Sequence, residues 1–373
     1  MPRRATHAPG PGVRTGFRRR SRATVHARRN HRGSAPIGAA PPKSERRDQS
    51  DTMRTRLTEI LGVEHPVMLA GMGGVSYSAL ASAVSEAGGF GTLGAGTMSP
   101  KVMEAEISAV RSATDKPFGV DLLTAMPGGM REQVQIIIDG GAKAFVAALG
   151  VPVEVIEQCH SQNVLVINMC GKVEHAVRAV EAGCDVVVAQ GTEAGGHTGQ
   201  VATFPLVPQI VDAVGQHVPV VAAGGIFDGR GLAAALSLGA DGVWVGTRFI
   251  ATPEARSVLG YKDKLIAARE DQTTISRAYS GKTMRVLRNS YTEHYDAHPE
   301  ELKKFPEQLG VSYGAQAMHL GGDSFADGVD IDRECYPTGQ GVGGITELVP
   351  AGELVRRFMA EAEAALSRIP SFH

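Results

Sequence analysis

From residue 65 to residue 246 the chain repeats one pattern: a short apolar run of Val, Ile, Leu and Ala, a turn containing Gly, then an amphipathic stretch ending in Gly-Ala or Ala-Gly. The apolar runs lie near 65–70, 89–94, 117–122, 143–149, 164–169, 184–190, 218–223 and 241–246. They are continuous rather than alternating, as strands buried on both faces must be, and helical intervals separate them. Eight such units in succession predict an α/β fold of the (β/α)8 TIM-barrel type. A doubly wound open sheet uses the same alternation, but eight units without a break favour closure.

The intervals carry their own punctuation. Ser76 precedes the 77–87 stretch, Ser99-Pro100 precedes 101–113, and Asp228 precedes 229–238. Side chains of these types accept from the free N–H groups of a first helical turn. Gly88, Gly183 and Gly239 stand where helices should end. After Phe249 the pattern changes to helical pieces near 254–269, a polar stretch with Arg285, Arg288 and Asn289, a His- and Glu-containing part at 294–308, and an amphipathic helix at about 350–366. The expected organisation is a disordered extension over 1–52 and a cofactor-binding barrel over 53–250. A small helical subdomain covering the substrate follows over 251–349, and a C-terminal helix over 350–373 packs back on the barrel.

Composition changes the picture at the N-terminus. The net charge of −1 averages two opposite regions. Residues 1–50 hold thirteen basic and two acidic side chains, a charge of +11, whereas residues 51–373 hold 25 basic and 37 acidic ones, a charge of −12. An acidic body has no basic face for a phosphate backbone, which argues against a nucleic-acid partner. The first fifty residues have only Val13, Phe17, Val25 and Ile37 as large apolar residues after Met1, too few to fold. A transit peptide would need an apolar helical face, and a nucleic-acid-binding arm is a further reading. A plain disordered extension ahead of an ordinary start at Met53 accounts for the segment best. Four cysteines without C-x-x-C spacing fit a reducing, cytoplasmic location, and no apolar run is long enough to span a membrane.

In such barrels the chemistry sits just after the strands. The first run is followed by Ala70-Gly71-Met72-Gly73-Gly74, with too little side chain to pack, as expected where a flat or charged ligand approaches the backbone. The seventh ends in Ala223-Gly224-Gly225-Ile226 and the eighth in Gly246-Thr247-Arg248-Phe249, the two places where these barrels hold phosphate. Arg248 either adds charge there or holds a structural ion pair. Gly339–Gly344 matches G-x-G-x-x-G, but no β-α-β unit surrounds it, so it reads as a loop folding back towards the barrel mouth. The segment Gln190-Gly191-Thr192-Glu193-Ala194-Gly195-Gly196-His197 follows the sixth run, and places an imidazole suited to proton transfer on a loop of little bulk. Glu193 either orients His197 or is an exposed loop carboxylate. His65, His160, His175 and His217 lie at strand starts or on helices and carry no such expectation.

These motifs, with Asp228–Leu232 (DGRGL) and Leu238–Asp241 (LGAD), resemble the nitronate monooxygenase family, formerly 2-nitropropane dioxygenases, over about residues 56–367. The resemblance implies an FMN-containing barrel, with the FMN phosphate at the loops after strands seven and eight. It places Ala70, Gly71 and Met72 beside the flavin ring and Gln190 near its polar edge. Gly196, Gly224, Gly225, Gly246 and Thr247 would lie about the ribityl phosphate, His197 matches the active-site histidine, and Gln340 matches a Gly-Gln pair reaching in from the tail. Two positions depart from the family. Asp121 stands where many relatives have Asn, so it is a cofactor-site residue that either turns away or alters the redox behaviour; Met169 stands where some have Lys.

The activity so implied is oxidation of alkyl nitronates, and of nitroalkanes where His197 first removes the α-proton, by O2 to a carbonyl compound and nitrite. A reductase using NAD(P)H to reduce an enoyl thioester or quinone shares the same E-A-G-G-H-type loop. A flavin-free barrel for a phosphate-bearing ligand is the third class. The partners expected are therefore a small-molecule substrate and O2, with NAD(P)H under the second reading and no membrane or nucleic acid; oligomeric state has no signal in the sequence.

Overall fold

The computed structural model describes residues 53–124, 129–319 and 328–368; the expectation for residues 1–52 lies outside them. Eight parallel strands occur where the apolar runs predict them: Val67–Leu69, Gly91–Gly94, Phe118–Leu123, Ala144–Ala148, Leu165–Cys170, Val186–Gln190, Val220–Ala223 and Gly242–Val245. Each pairs with its neighbours in chain order, and the first pairs with the eighth through Val67↔Val243. The circle closes at Met68↔Phe90, where Leu69 N–H donates to the Phe90 carbonyl and Phe90 N–H to the Val67 carbonyl, both at 2.9 Å.

Burial on both faces explains the continuous apolar runs. Inward-facing Met68, Phe90, Val146, Ile167, Val188, Val221 and Trp244 fill the barrel, and Leu57 and Leu61 of helix Arg56–Leu61 join them. Outward-facing Val67, Leu93, Val120, Phe145, Val166, Val187 and Val220 pack on the surrounding helices. At about 25 cal/mol per Å2 of apolar surface, one fully buried Val or Leu contributes about 1.5–3 kcal/mol, so each strand is held from two sides.

The helix signals hold with one correction. Ser99 accepts from Val102 N–H with Pro100 at the first position, and Asp228 accepts from Gly231 N–H. Ser76 does not cap: helix Ser78–Glu86 has Tyr77 at its N-cap without a side-chain bond, while Ser76 Oγ accepts from Met72 N–H at 2.8 Å. It is spent on holding the Met72 loop. Gly88, Gly183 and Gly239 all have positive φ, as helix ends require.

The helix directly after the eighth strand, Thr247–Ile250, has four residues. The C-terminal helix Ala351–Ser367 packs instead against Gly229–Ser237 and Ser78–Glu86, burying Leu354, Val355, Phe358 and Met359. The tail between differs in part from the helical expectation. The 254–269 stretch is helical only over Tyr261–Ala267, entered through Gly260 at φ +78°. The polar stretch with Arg285 forms a hairpin, Thr273–Ser276 against Met284–Leu287, whose second strand pairs with Gly196–His197. The second strand is buried throughout, and its one charged residue, Arg285, together with Arg288 and Asn289 just beyond it, gives the stretch its polar look in the sequence.

Candidate active site

A cavity of about 310 Å3 opens at the C-terminal ends of the strands, within the range of cofactor and small-ligand sites. Among the residues singled out from the sequence, Ala70, Gly71, Met72, Asp121, Gln190, Gly196, His197, Gly224, Gly225, Gly246 and Thr247 all line it. Gln340 does not. It borders an adjoining cavity with Phe204 and Arg230, while its neighbours Gly339 and Gly341 line the main one.

The floor is backbone. Gly224 and Gly225 have φ +110° and +73°, a conformation that β-carbons disfavour, and a Cβ on Gly224 would crowd Thr203 Oγ1 at 2.6 Å. A Cβ on Gly94 would overlap the Met72 backbone, and one on Gly71 would overlap Asp121. These glycines bring main chain, rather than side chain, up to the cavity. Two polar side chains here have no partner among the described residues: the buried Thr97 hydroxyl and the Asp121 carboxyl, 7% exposed. Burial pushes the Asp121 pKa well up, towards the neutral acid. Asp121 therefore faces the cavity rather than turning away. A backbone floor with positive-φ glycines at the seventh strand, orphaned hydroxyl and carboxyl groups, and an otherwise apolar wall fit a flat, phosphate-bearing cofactor such as FMN. Thr97 was missed from the sequence, since a lone Thr after a strand carries no distinguishing signal.

His197 is positioned from three directions. Its backbone pairs with Met284 of the tail hairpin, and its carbonyl accepts from Gln190 Nε2 at 2.7 Å. Its Nε2 lies 2.9 Å from Ser280 Oγ. Burial, helped by the charge of Lys282, pushes its pKa down to about 4, so the ring is neutral at ordinary pH. Ser280 Oγ also lies 3.2 Å from the Lys282 carbonyl, to which its hydroxyl donates. The contact with Ser280 thus fixes the orientation of the imidazole ring from the tail side.

Glu193 fits neither expectation. Its carboxylate accepts from Thr203 N–H at 2.8 Å and from Thr203 Oγ1 at 2.9 Å, capping helix Thr203–Val214. Arg248 is 6% exposed, donates to the Glu347 carbonyl and lies outside the cavity, which makes it structural. Arg285, equally buried, donates Nε–H to the Thr192 carbonyl at 2.8 Å and Nη1–H to Thr273 Oγ1 at 3.0 Å, fastening the His197 loop to the tail. The G-x-G-x-x-G segment forms a short 3-10 helix, Gln340–Gly344, over the mouth. Gly339 N–H donates to Thr247 Oγ1, and Gln340 N–H to the Glu193 carbonyl, both at 2.9 Å. Among the described residues no helix is long and apolar enough to cross a membrane.

Comparison with known proteins gives the family. The family model described as nitronate monooxygenase matches residues 54–133 and 123–361. A Staphylococcus aureus protein described as "Probable nitronate monooxygenase" is 33% identical, covering 72% of this chain and 88% of its own length. The (3aS,4S,5R,7aS)-5-hydroxy-7a-methyl-1-oxo-octahydro-1H-indene-4-carboxyl-CoA dehydrogenase of Mycobacterium tuberculosis is 41% identical over 66% of this chain and 69% of its own. Among solved structures, FabK from Thermotoga maritima superposes with a TM-score of 0.76 at 34% identity over 85% of this chain and 98% of that one. The nitroalkane oxidase from Streptomyces ansochromogenes gives 0.75 at 29% identity over 85% and 100%. The chain thus belongs to the nitronate monooxygenase family, as a flavin-dependent oxidoreductase built on a (β/α)8 barrel.

Proposed function

We propose that the protein is an FMN enzyme that oxidises alkyl nitronates, and neutral nitroalkanes, with O2 to give a carbonyl compound and nitrite. The observation that carries this reading is His197, an imidazole buried in an apolar cavity, kept neutral by that burial and oriented by Ser280 at its Nε2. FMN, cradled by Gly224, Gly225, Gly246 and Thr247, would supply the electron-transfer chemistry and the reaction with O2. The chain's own residues bind, orient and move the proton.

A base whose conjugate acid has a pKa near 4 is weak, yet the cavity changes the balance during transfer. Taking the α-proton from a nitroalkane creates a nitronate anion beside an imidazolium in a dry site, and their attraction offsets the cost of each charge. A nitronate supplied as the anion needs no such step. Replacing His197 by Asn should therefore abolish nitrite release from a nitroalkane and spare release from its nitronate. Equal activity on both substrates would remove His197 from proton transfer.

A second reading is favoured by the 41% identity to a dehydrogenase of a carboxyl-CoA: a nicotinamide-dependent flavin enzyme acting on a thioester or quinone. Anaerobic mixing separates the two. Rapid flavin bleaching by NADH or NADPH supports the reductase, and bleaching by nitronate alone supports the oxidase.

A further inference from the structure

A second histidine faces the same cavity from the tail. His319 lines the wall near Met318 and Cys335. Its Nδ1 lies 2.6 Å from Glu334 Oε2, and its backbone N–H donates to Glu334 Oε1 at 2.9 Å. Glu334 is 1% exposed. A buried carboxylate requires donors on its oxygens, and here one residue provides both. Because carboxylate oxygens accept, Nδ1 carries the hydrogen and Nε2 is the ring atom left for a ligand.

The support behind this pair is specific. Asn289 Nδ2 donates to the Glu334 carbonyl at 2.8 Å while its Oδ1 caps helix Ser290–Ala297. The Tyr279 hydroxyl, buried among tail aromatics, lies 2.9 Å from the Arg333 carbonyl and 3.2 Å from that of Glu334. Cys335 N–H donates to the Ala317 carbonyl at 2.9 Å, tying the segment of Glu334 to the segment of His319. The other polar side chains that the later barrel loops and the tail bring to the cavity are already engaged: Gln190 by the His197 carbonyl, His197 by Ser280, Thr247 by Gly339 and Tyr261 by the Pro337 carbonyl. On the tail side, His319 Nε2 and the weakly polar Cys335 Sγ are without a partner among the described residues, and of the two only the imidazole nitrogen forms strong hydrogen bonds.

We propose that His319, held in place by Glu334, is the group with which the tail binds an anionic oxygen of the substrate in this cavity. With Nδ1 turned to Glu334, Nε2 is the ring atom through which a nitronate or carboxylate oxygen is held, as Nε2–H, when the anion and a proton enter together. Glu334 acts through it as a positioning residue. The proposal rests on the reading of this cavity as the substrate site, and its test separates the two.

Isobutyrate has the heavy-atom connectivity and charge of propane-2-nitronate but cannot be oxidised in the same way, and isobutyramide is its neutral counterpart. Titration of the flavin-loaded enzyme with each, followed by flavin absorbance, should give tighter binding of isobutyrate than of isobutyramide. His319→Gln should weaken isobutyrate by roughly tenfold or more, as loss of one charge-assisted hydrogen bond predicts. Glu334→Gln should weaken it less, and neither change should affect isobutyramide. Absence of isobutyrate binding in the wild type, unchanged binding in His319→Gln, or equal losses for both probes overturns the proposal. Nitrite release from propane-2-nitronate is measured in parallel. If nitrite is absent while anion binding behaves as expected, the nitronate reading fails and the role of His319 stands.

Discussion

The two walls of the cavity are made of different material. On the barrel side main chain dominates: Gly71, Gly94, Gly224, Gly225 and Gly246 leave no room for, or present no, side chains, and the surrounding strands are packed on both faces. On the tail side the wall is made of side chains, Met284, Met318, His319, Cys335 and Pro337, with Ser280 behind His197. The barrel wall suits a ligand that is the same in every turnover, whereas the tail wall can be altered residue by residue to fit a particular substrate. His197 stands at the seam, on a barrel loop whose strand partner belongs to the tail.

The largest expected effect tests the rigidity of the barrel wall. Gly94→Val places a branched side chain into the backbone of Met72, where overpacking typically costs about 1–3 kcal/mol and more when backbone must move. Thermal unfolding should show a fall in Tm together with loss of bound flavin; retention of both would mean that this loop yields easily.

The next effect tests the seam. His197 in the folded protein has its pKa lowered from 6.5 to about 4, so the unfolded chain takes up the proton first as pH falls. The stabilisation is complete above pH 6.5 and is lost as pH drops towards 4, an acid-limb loss of at most about 3 kcal/mol. Urea unfolding of the flavin-free protein across this range should show the slope, and His197→Asn should flatten it. The smallest effect tests the tail. Gly310 lies on the exposed side of helix Glu307–Gly314 with open space where a Cβ would be. Gly310→Ala should raise stability by about 0.5–1 kcal/mol with flavin content unchanged; a loss would show that the tail is packed as tightly as the floor.

Legibility follows the same division. The eight strands were readable because burial on both faces demands mostly apolar residues in unbroken runs, a demand each strand meets locally except at a few positions such as Asp121 and Gln190. The glycine floor was readable because backbone approach excludes side chains wherever the loop goes. Ser76 was misread as a cap because a serine hydroxyl satisfies a helix end or a neighbouring loop equally well, and only the path of Met72 decides. Glu193 was left open for a similar reason: Thr203, the residue it holds, is ten positions away across a turn whose course the sequence does not specify.

What the sequence alone determined was the repeat, its closure into a barrel, and the strand ends that line the cavity together with His197, since these depend on periodicity and on residues adjacent in the chain. Only the tertiary structure decided that Asp121 faces the cavity, that Ser280 engages His197 from 83 residues away, and that Glu334 holds His319 at the opposite end of a fifteen-residue separation. Such contacts join segments with no common period. The Ser280 contact exists because the tail hairpin adds to a barrel loop, and that pairing is a property of the folded chain rather than of any stretch within it.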